Sequence, residues 1–227
     1  MRARHLALVP VVVLLATAFA ASTLLGACSS NAGSAVPDQV PNGSASPSAA
    51  PPTAFGQATS KKFGFSIRYP LGWISATHTA KAGDALGSAL LSVGWANPKG
   101  ETVEGGLGFV DTLHLSVYGM NKPVKPVDLT RYRSDFKGIV DSMIKDLPKI
   151  SVSDPFKPIT VNGTKGFQIT YAYTVQGTRV GAMSYLLPKG SYAYWVTGQS
   201  SAATWQASWS KLAPAMASLV ISAPASQ

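Results

Sequence analysis

The segment that decides the fold covers residues 63–73 and reads FGFSIRYPLGW. Apolar and aromatic side chains alternate with small or polar ones along it, at Phe63, Phe65, Ile67 and Tyr69. This alternation is typical of a strand with one buried face, and the Pro-Leu-Gly-Trp sequence that follows ends the strand in a turn. The segment therefore predicts the first strand of a folded body over residues 61–223.

The rest of that body changes between the strand period and the helix period. Alternating patterns and turn residues predict six further strands, at 90–96, 108–120, 158–161, 166–175, 178–187 and 191–198. Apolar residues at helical spacing predict one helix after Asp128 and a second that carries Trp205 to Val220, with Pro214 expected to kink or split it. Hairpins with segregated helices indicate an α+β fold, a twisted antiparallel sheet of about six to seven strands covered by two main helices.

Residues 1–27 have the features of an export signal. Arg2 and Arg4 precede a stretch from Leu6 to Ala27 without charge, which is long enough to span a bilayer as an uncleaved anchor. The stretch closes with Leu25, Gly26, Ala27 and Cys28. Small residues before a cysteine resemble the lipobox of bacterial lipoproteins. That resemblance implies that Cys28 carries a diacylglycerol and becomes the first residue of the mature protein, with its amino group acylated or free.

Residues 28–60 differ sharply in composition from the body. Ser, Ala, Pro and Gly dominate, and Asp38 is the only charged residue. Without an apolar period no core can form, so this segment is predicted to be a disordered tether. A flexible coil of this length spans about 30 Å. Together with the lipid on Cys28, it predicts a body held at the extracytoplasmic face of the cell membrane.

The opening strand, which ends in Tyr-Pro and Gly-Trp, resembles the first strand of PsbP-like domains. The central helix and the strand-rich C-terminal half with its last helix are similar to that family as well, over about residues 63–221. With the lipobox and the tether, the chain resembles actinobacterial lipoproteins of the PsbP-like, LpqN-type class. The resemblance implies an α/β/α sandwich that serves as a binding and assembly scaffold rather than as a catalyst.

Reactive side chains are few and scattered. The single cysteine rules out a disulfide framework and a Cys-based zinc cluster. His114 and Asp111 form the nearest pair of histidine and carboxylate, and an offset of three residues in a strand places them on opposite faces. A hydrogen-bonded sheet histidine is therefore favoured over a catalytic one, and His78 is the other histidine of the body. We expect no catalytic residue, no metal site and no cofactor.

The formal charge of +9 at pH 7 raises the question of an anionic partner. The cations are spread along the sequence and form no stripe with interleaved aromatic residues, so a nucleic acid is not expected as a partner. A modest attraction to anionic headgroups or wall polymers is the favoured consequence, and it should weaken as salt is added.

Aromatic residues crowd three neighbouring strands, at Tyr171, Tyr173, Tyr185, Tyr192, Tyr194 and Trp195. Two interpretations stay open: cross-strand packing, or an exposed patch for a ligand or partner. Trp195 points away from Tyr192 and Tyr194, so we expect only one of these sets to face the main helices. The sequence thus predicts a membrane-anchored, non-catalytic binding domain for a protein or envelope component. The alternative is a carrier of a lipid or glycolipid in an aromatic-lined cavity.

Overall fold

The computed structural model describes residues 54–79, 89–102, 110–125 and 129–222. In chain order, the elements of these residues are β1 (Phe55–Ser60), β2 (Phe65–Pro70), β3 (Ile74–Thr79), β4 (Leu91–Ala96), β5 (Thr112–Val124), α1 (Arg133–Ile144), β6 (Ser151–Val161), β7 (Thr164–Val175), β8 (Thr178–Ser201), α2 (Trp205–Ala217) and β9 (Val220–Ile221). None of the helices in this described part is both long enough and apolar enough to cross a bilayer.

The strands form two antiparallel sheets. The small sheet has the order β1-β2-β9, and the large sheet has the order β3-β4-β5-β8-β7-β6. Every neighbouring pair in both sheets is antiparallel. The predicted α+β class, with an antiparallel sheet and two main helices, is confirmed.

Strand β8 folds back on itself near Gly190 and so fills two positions in the large sheet. Its first half pairs with β7, as in Tyr171↔Ala182, and its second half pairs with β5. The two halves also meet each other, because the amide of Ala202, the residue after β8, donates to the carbonyl of Arg179 at 2.7 Å. Gly190 has a φ of +59°, which glycine adopts readily. The predicted turn at Lys189-Gly190 therefore joins two strand positions in the middle of the strand order.

One face of the large sheet is covered by α2 and the small sheet, and we call this the α2 side. Leu113, Leu115 and Val117 of β5 are fully buried there. They pack in one core with Phe65 and Ile67 of β2 and with Leu212 and Met216 of α2, among others. Each fully buried aliphatic side chain stabilises the fold by about 1.5–3 kcal/mol. The segment of residues 63–73 thus forms part of the second layer of this core.

The opposite face, the α1 side, is covered by α1. Phe136, Val140 and Ile144 of this helix are buried at helical spacing against residues of β6, β7 and β8. Phe136 and Phe156 both contact the ring of Phe167, with centroids 5.9 and 4.4 Å away. The exposed surface of α1 carries an ion pair of Lys137 and Asp141, whose charged atoms lie 2.5 Å apart.

Three strands lie where the sequence pattern predicted none. Strand β1 falls inside residues 28–60, which the composition predicts to be a disordered tether, so the boundary of the body moves to about residue 55. Gly56 permits its pairing, since a Cβ there would lie 2.6 Å from Cζ of Tyr69. Strands β3 and β9 pair with β4 and β2. Such polar or short strands form because a neighbour supplies their hydrogen bonds, and no local pattern reveals that neighbour.

Both helices differ in detail from their predictions. Helix α1 begins at Arg133, and the predicted N-cap Asp128 lies outside the described residues. Helix α2 continues through Pro214 to Ala217, so the proline does not split it. Pro214 lies in the last turn, where the loss of one amide donor affects few helical hydrogen bonds.

Candidate functional site

The predicted lipobox residues Leu25, Gly26, Ala27 and Cys28 lie outside the described residues. The described chain begins at Ala54, whose carbonyl accepts a hydrogen bond from the amide of Leu71 at 2.9 Å. The N-terminal segment therefore joins the body beside the turn between β2 and β3. This turn exposes two large apolar side chains, Leu71 and Ile74, which are 56% and 41% accessible.

The six aromatic residues predicted as one cluster divide between the two faces of the large sheet. Tyr171 and Trp195 are buried in the core under α1, and Tyr194 is buried in the core under α2. The other three, Tyr173, Tyr185 and Tyr192, are partly buried and pack against these cores. The expectation that only one set faces the main helices is wrong, because each face of the sheet has its own helix.

Hydroxyl groups link the buried aromatic residues on the α1 side. Ser184 Oγ lies 3.4 Å from the hydroxyl of Tyr171 and 2.7 Å from Oγ1 of Thr197. The indole of Trp195 donates to Oγ1 of Thr197 at 2.6 Å, and Tyr173 donates to Oε1 of Gln199 at 3.0 Å. These bonds satisfy polar groups that the sheet buries. Cross-strand packing therefore accounts for Tyr171 and Trp195, and they form no exposed patch.

A different part of the α1 side lies outside the core under α1. Strands β3 and β4 contribute no side chain to the core under α1, so the helix covers only one half of this face. Cross-strand pairs align the other half in three rows. We call it the shelf, and its residues are Ile74, Ala76, His78, Ser92, Gly94, Ala96, Thr112, His114 and Ser116.

The shelf has a low centre and higher edges. Its central strand, β4, presents Ser92, Gly94 and Ala96, all of which are small. A Cβ added to Gly94 would meet only the ring of His114, with Cδ2 at 3.4 Å. His114 on β5 and the exposed His78 on β3 flank this centre. The arrangement is a shallow trough about three strands wide, or about 10 Å from β3 to β5.

The imidazole of His114 is uncharged near neutral pH. His114 is half-buried, and desolvation by burial lowers the pKa of its imidazole to about 4. Burial also raises the pKa of the neighbouring Tyr118, although a hydrogen bond with Ser116 partly offsets this. The hydroxyl groups of Ser92 and Ser116 lie 3.0 Å apart and bond to each other. Ser92 and Ser116 are buried, so on β5 the shelf presents mainly Thr112 and the neutral imidazole of His114, which are partly accessible.

These groups do not form a recognisable catalytic set. His78 pairs with Ser92 and His114 with Gly94, so the two histidines lie in different rows on strands that β4 separates, with their Cα atoms about 10 Å apart. Among the described residues, no three His, Cys, Asp or Glu side chains are grouped closely enough to hold a metal ion. The arrangement can bind through shape and hydrogen bonds.

Asp111 lies on the α2 side and has a structural role there. Its Oδ1 accepts hydrogen bonds from Ser200 Oγ at 2.6 Å and Thr204 Oγ1 at 3.3 Å. Its Oδ2 accepts bonds from Ser208 Oγ at 3.1 Å and Asn97 Nδ2 at 3.3 Å. This buried carboxylate ties the end of β8 to the first turn of α2, where a negative charge is favourable. As predicted, Asp111 and His114 lie on opposite faces.

Sequence reasoning missed the shelf, although one signal for it is present. In β4 the small residues Ser92, Gly94 and Ala96 alternate with Leu91, Val93 and Trp95. A strand with large side chains on one face and small ones on the other fits a sheet that is packed on one side and open on the other.

No protein-family model and no curated protein sequence matches this chain. The solution structure of cyanobacterial PsbP (CyanoP) from Synechocystis sp. PCC 6803 is similar, with 11% identity and a TM-score of 0.53, over 78% of this chain and 98% of that chain. The crystal structure of LpqN, involved in cell envelope biogenesis of Mycobacterium tuberculosis, aligns with a TM-score of 0.42 and 10% identity, over 76% of this chain and 86% of that chain. The likeness to CyanoP shows that the described body has a PsbP-like fold.

Proposed function

We propose that this protein is a non-catalytic binding domain, anchored by a lipid on Cys28 to the extracytoplasmic face of the cell membrane. The uncharged N-terminal stretch, the lipobox-like end at Leu25 to Cys28 and the Ser/Pro/Ala-rich segment after it support the anchor. The exposed apolar turn beside Ala54 agrees with a body that is held close to lipid.

The shelf is the part of the body that we assign to binding, and the row Ala76, Gly94 and His114 carries this proposal. Small side chains over β4 admit another surface close to the sheet. The hydroxyl of Thr112 and the neutral imidazole of His114, both partly accessible, can bond to the amide or hydroxyl groups of that surface. A partner protein or an uncharged envelope component would fit these properties.

The alternative of a lipid or glycolipid carrier loses its main support. It required an aromatic-lined cavity, and Tyr171, Tyr194 and Trp195 instead belong to the packed cores. No other observation on the described residues favours an enclosed apolar site for an acyl chain.

Replacement of the cysteine tests the anchor. We expect Cys28→Ala to abolish partitioning of the full chain into the detergent phase and to release it from the membrane fraction, because a stable hold requires acyl chains. Ser30→Ala, in the same segment, should leave both properties unchanged. Unaltered membrane association of Cys28→Ala would show that the lipid anchor is wrong.

Photo-crosslinking from the shelf tests the binding surface. We expect a photoreactive residue at Ala76 or Thr112 to capture the same envelope component in living cells, whereas one at Lys137 on α1 should not. Adding Gly94→Leu should fill the trough and abolish this capture while the circular dichroism spectrum stays unchanged. Equal capture from Lys137, or capture that persists with Gly94→Leu, would rule out the shelf.

A further inference from the structure

Six exposed lysines gather at one end of the body, which we call the basic end: Lys61, Lys62, Lys122, Lys125, Lys165 and Lys189. They come from four separate turns or strand ends of the chain. The sequence alone shows them as scattered pairs and single residues, so their grouping is a property of the topology.

Backbone pairs and hydrogen bonds bring these turns together. The β1–β2 turn with Lys61 and Lys62 lies beside β9, because Phe65 pairs with Ile221. The ammonium group of Lys189 donates to the carbonyl of Ile221. Gly190, the next residue, pairs with Val124, which lies between Lys122 and Lys125 in sequence.

The turn before Lys165 joins the same end. The side-chain amide of Asn162 donates to the carbonyls of Ala217 and Leu219 at 2.8 and 3.0 Å, directly before β9. Lys165 pairs with Thr160 on the other side of this turn. All six lysines thus surround the β8 reversal and the C-terminal strand.

The positive charge of the basic end is not neutralised within the described part of the chain. No carboxylate there contacts any of the six ammonium groups, and Lys189 bonds to a carbonyl instead. Glu101 accepts a hydrogen bond from Thr178 and Asp111 one from Ser200, both at the far end of the sheet. Like charges held together without counterions attract polyanions over a Debye length of about 8–10 Å.

A shallow open groove lies within the basic end. Its volume is about 290 Å³, near the lower limit of small-molecule sites, and its lining combines Lys61 and the hydroxyl residues Thr59, Ser60, Ser66 and Ser222 with the apolar Phe65 and Val220. Hydroxyl donors next to an ammonium group are suited to phosphate or carboxylate oxygens. The groove therefore adds a local contact to the long-range attraction.

The position of the N-terminal segment decides which polyanion faces this end. That segment enters at Ala54, beside the start of β1, whereas Lys61 follows the end of β1. Six residues of strand separate the two points by about 20 Å. In a body anchored through Ala54, with Leu71 and Ile74 exposed at that end, the basic end lies on the side farther from the point of attachment.

We propose that the basic end binds a linear anionic polymer of the cell envelope, one that carries phosphate or carboxylate groups along its length. The outward direction of this end rests on the lipid anchor of the proposed function, whereas the binding itself does not. The shelf and the basic end are then two separate binding surfaces.

Binding of the purified full chain in detergent to linear polyphosphate and to polygalacturonate tests this proposal. The triple variant Lys61→Gln, Lys122→Gln, Lys165→Gln removes three charges from the basic end. The control variant Lys99→Gln, Lys145→Gln, Lys149→Gln removes three exposed charges elsewhere. We expect the first to bind about tenfold more weakly, with a slope of log K against log salt that is shallower by about 2. The control should stay within about twofold of the wild type.

Equal losses in the two triple variants, or none in either, would overturn the proposal. A preference of the wild type for vesicles of phosphatidylglycerol and phosphatidylcholine over both polymers would overturn it as well, because lipid would then be the occupant. Cys28→Ala should bind the polymers as the wild type does. If the anchor fails its own test while this binding persists, only the outward direction is lost.

Discussion

Strand β5 shows how differently the two faces of the large sheet are used. On the α2 side its residues Leu113, Leu115 and Val117 have no measurable exposure and lie in a continuous apolar core. On the α1 side its residues Thr112 and His114 are polar and half-buried. The difference arises because the small sheet extends the cover on the α2 side across β4, where Tyr69 stacks on Trp95 at 5.2 Å. One face is filled by an apolar core, and among the described residues half of the other face has no helix over it.

The largest expected effect compares two adjacent residues of β5. Leu115→Ala should lower the free energy of unfolding by about 2–5 kcal/mol, because it leaves a cavity in a core that excludes water. His114→Ala should lower it by no more than about 1 kcal/mol, since it removes a partly buried polar side chain and leaves the apolar core intact. Urea denaturation of the purified protein measures both values. Equal losses would show that the shelf is part of the core.

A smaller effect is expected from adding one methyl group on either face. In Gly181→Ala the new Cβ would lie 2.9 Å from Cε3 of Trp205, whose ring is buried and stacked on Trp209. We expect a loss of about 1–3 kcal/mol from overpacking. Gly94→Ala on the shelf, where the nearest atom is 3.4 Å away, should change stability by less than about 0.5 kcal/mol. Thermal unfolding of the two variants measures both changes in stability. Equal losses would contradict the difference between the two faces of the sheet.

The smallest effect concerns pH. Burial lowers the pKa of His114 from 6.5 to about 4, so between these values the unfolded chain binds a proton that the native state does not. Stability therefore falls as the pH falls through this window. For a half-buried group we expect a loss of about 1–2 kcal/mol at pH 5 relative to pH 7.5. His114→Gln should lack this component, so the difference between the two proteins isolates it. Identical pH profiles would contradict the burial of this imidazole.

Local signals predicted the central hairpins of the fold well. Asn162-Gly163 and Gln176-Gly177 form two-residue turns in which all four residues have positive φ, from 44° to 84°. The strand pairs Val161↔Thr164 and Val175↔Thr178 close these turns. A type I′ turn requires positive φ at both central positions, and Asn and Gly tolerate it best. Turn chemistry is therefore readable from a few consecutive residues.

The candidate binding surfaces could not be predicted in the same way. Whether His114 lies under a helix depends on how far α1 reaches across the sheet, and the sequence of β5 does not contain that information. The basic end likewise requires four distant turns to meet, as the bond between Lys189 and the carbonyl of Ile221 illustrates. The lipobox at Cys28 is a local motif, and it stays a prediction because it lies outside the described residues.

The small sheet also sets the order in which the protein can mature. Strand β2 needs β9 as its second neighbour, and the amide of Arg68 donates to Ser218 Oγ, 150 residues further along the chain. If the predicted export signal directs secretion, β2 crosses the membrane long before its C-terminal partner does. Completion of the fold must then wait until translocation has finished. The chain therefore stays incompletely folded for as long as the secretion channel holds it.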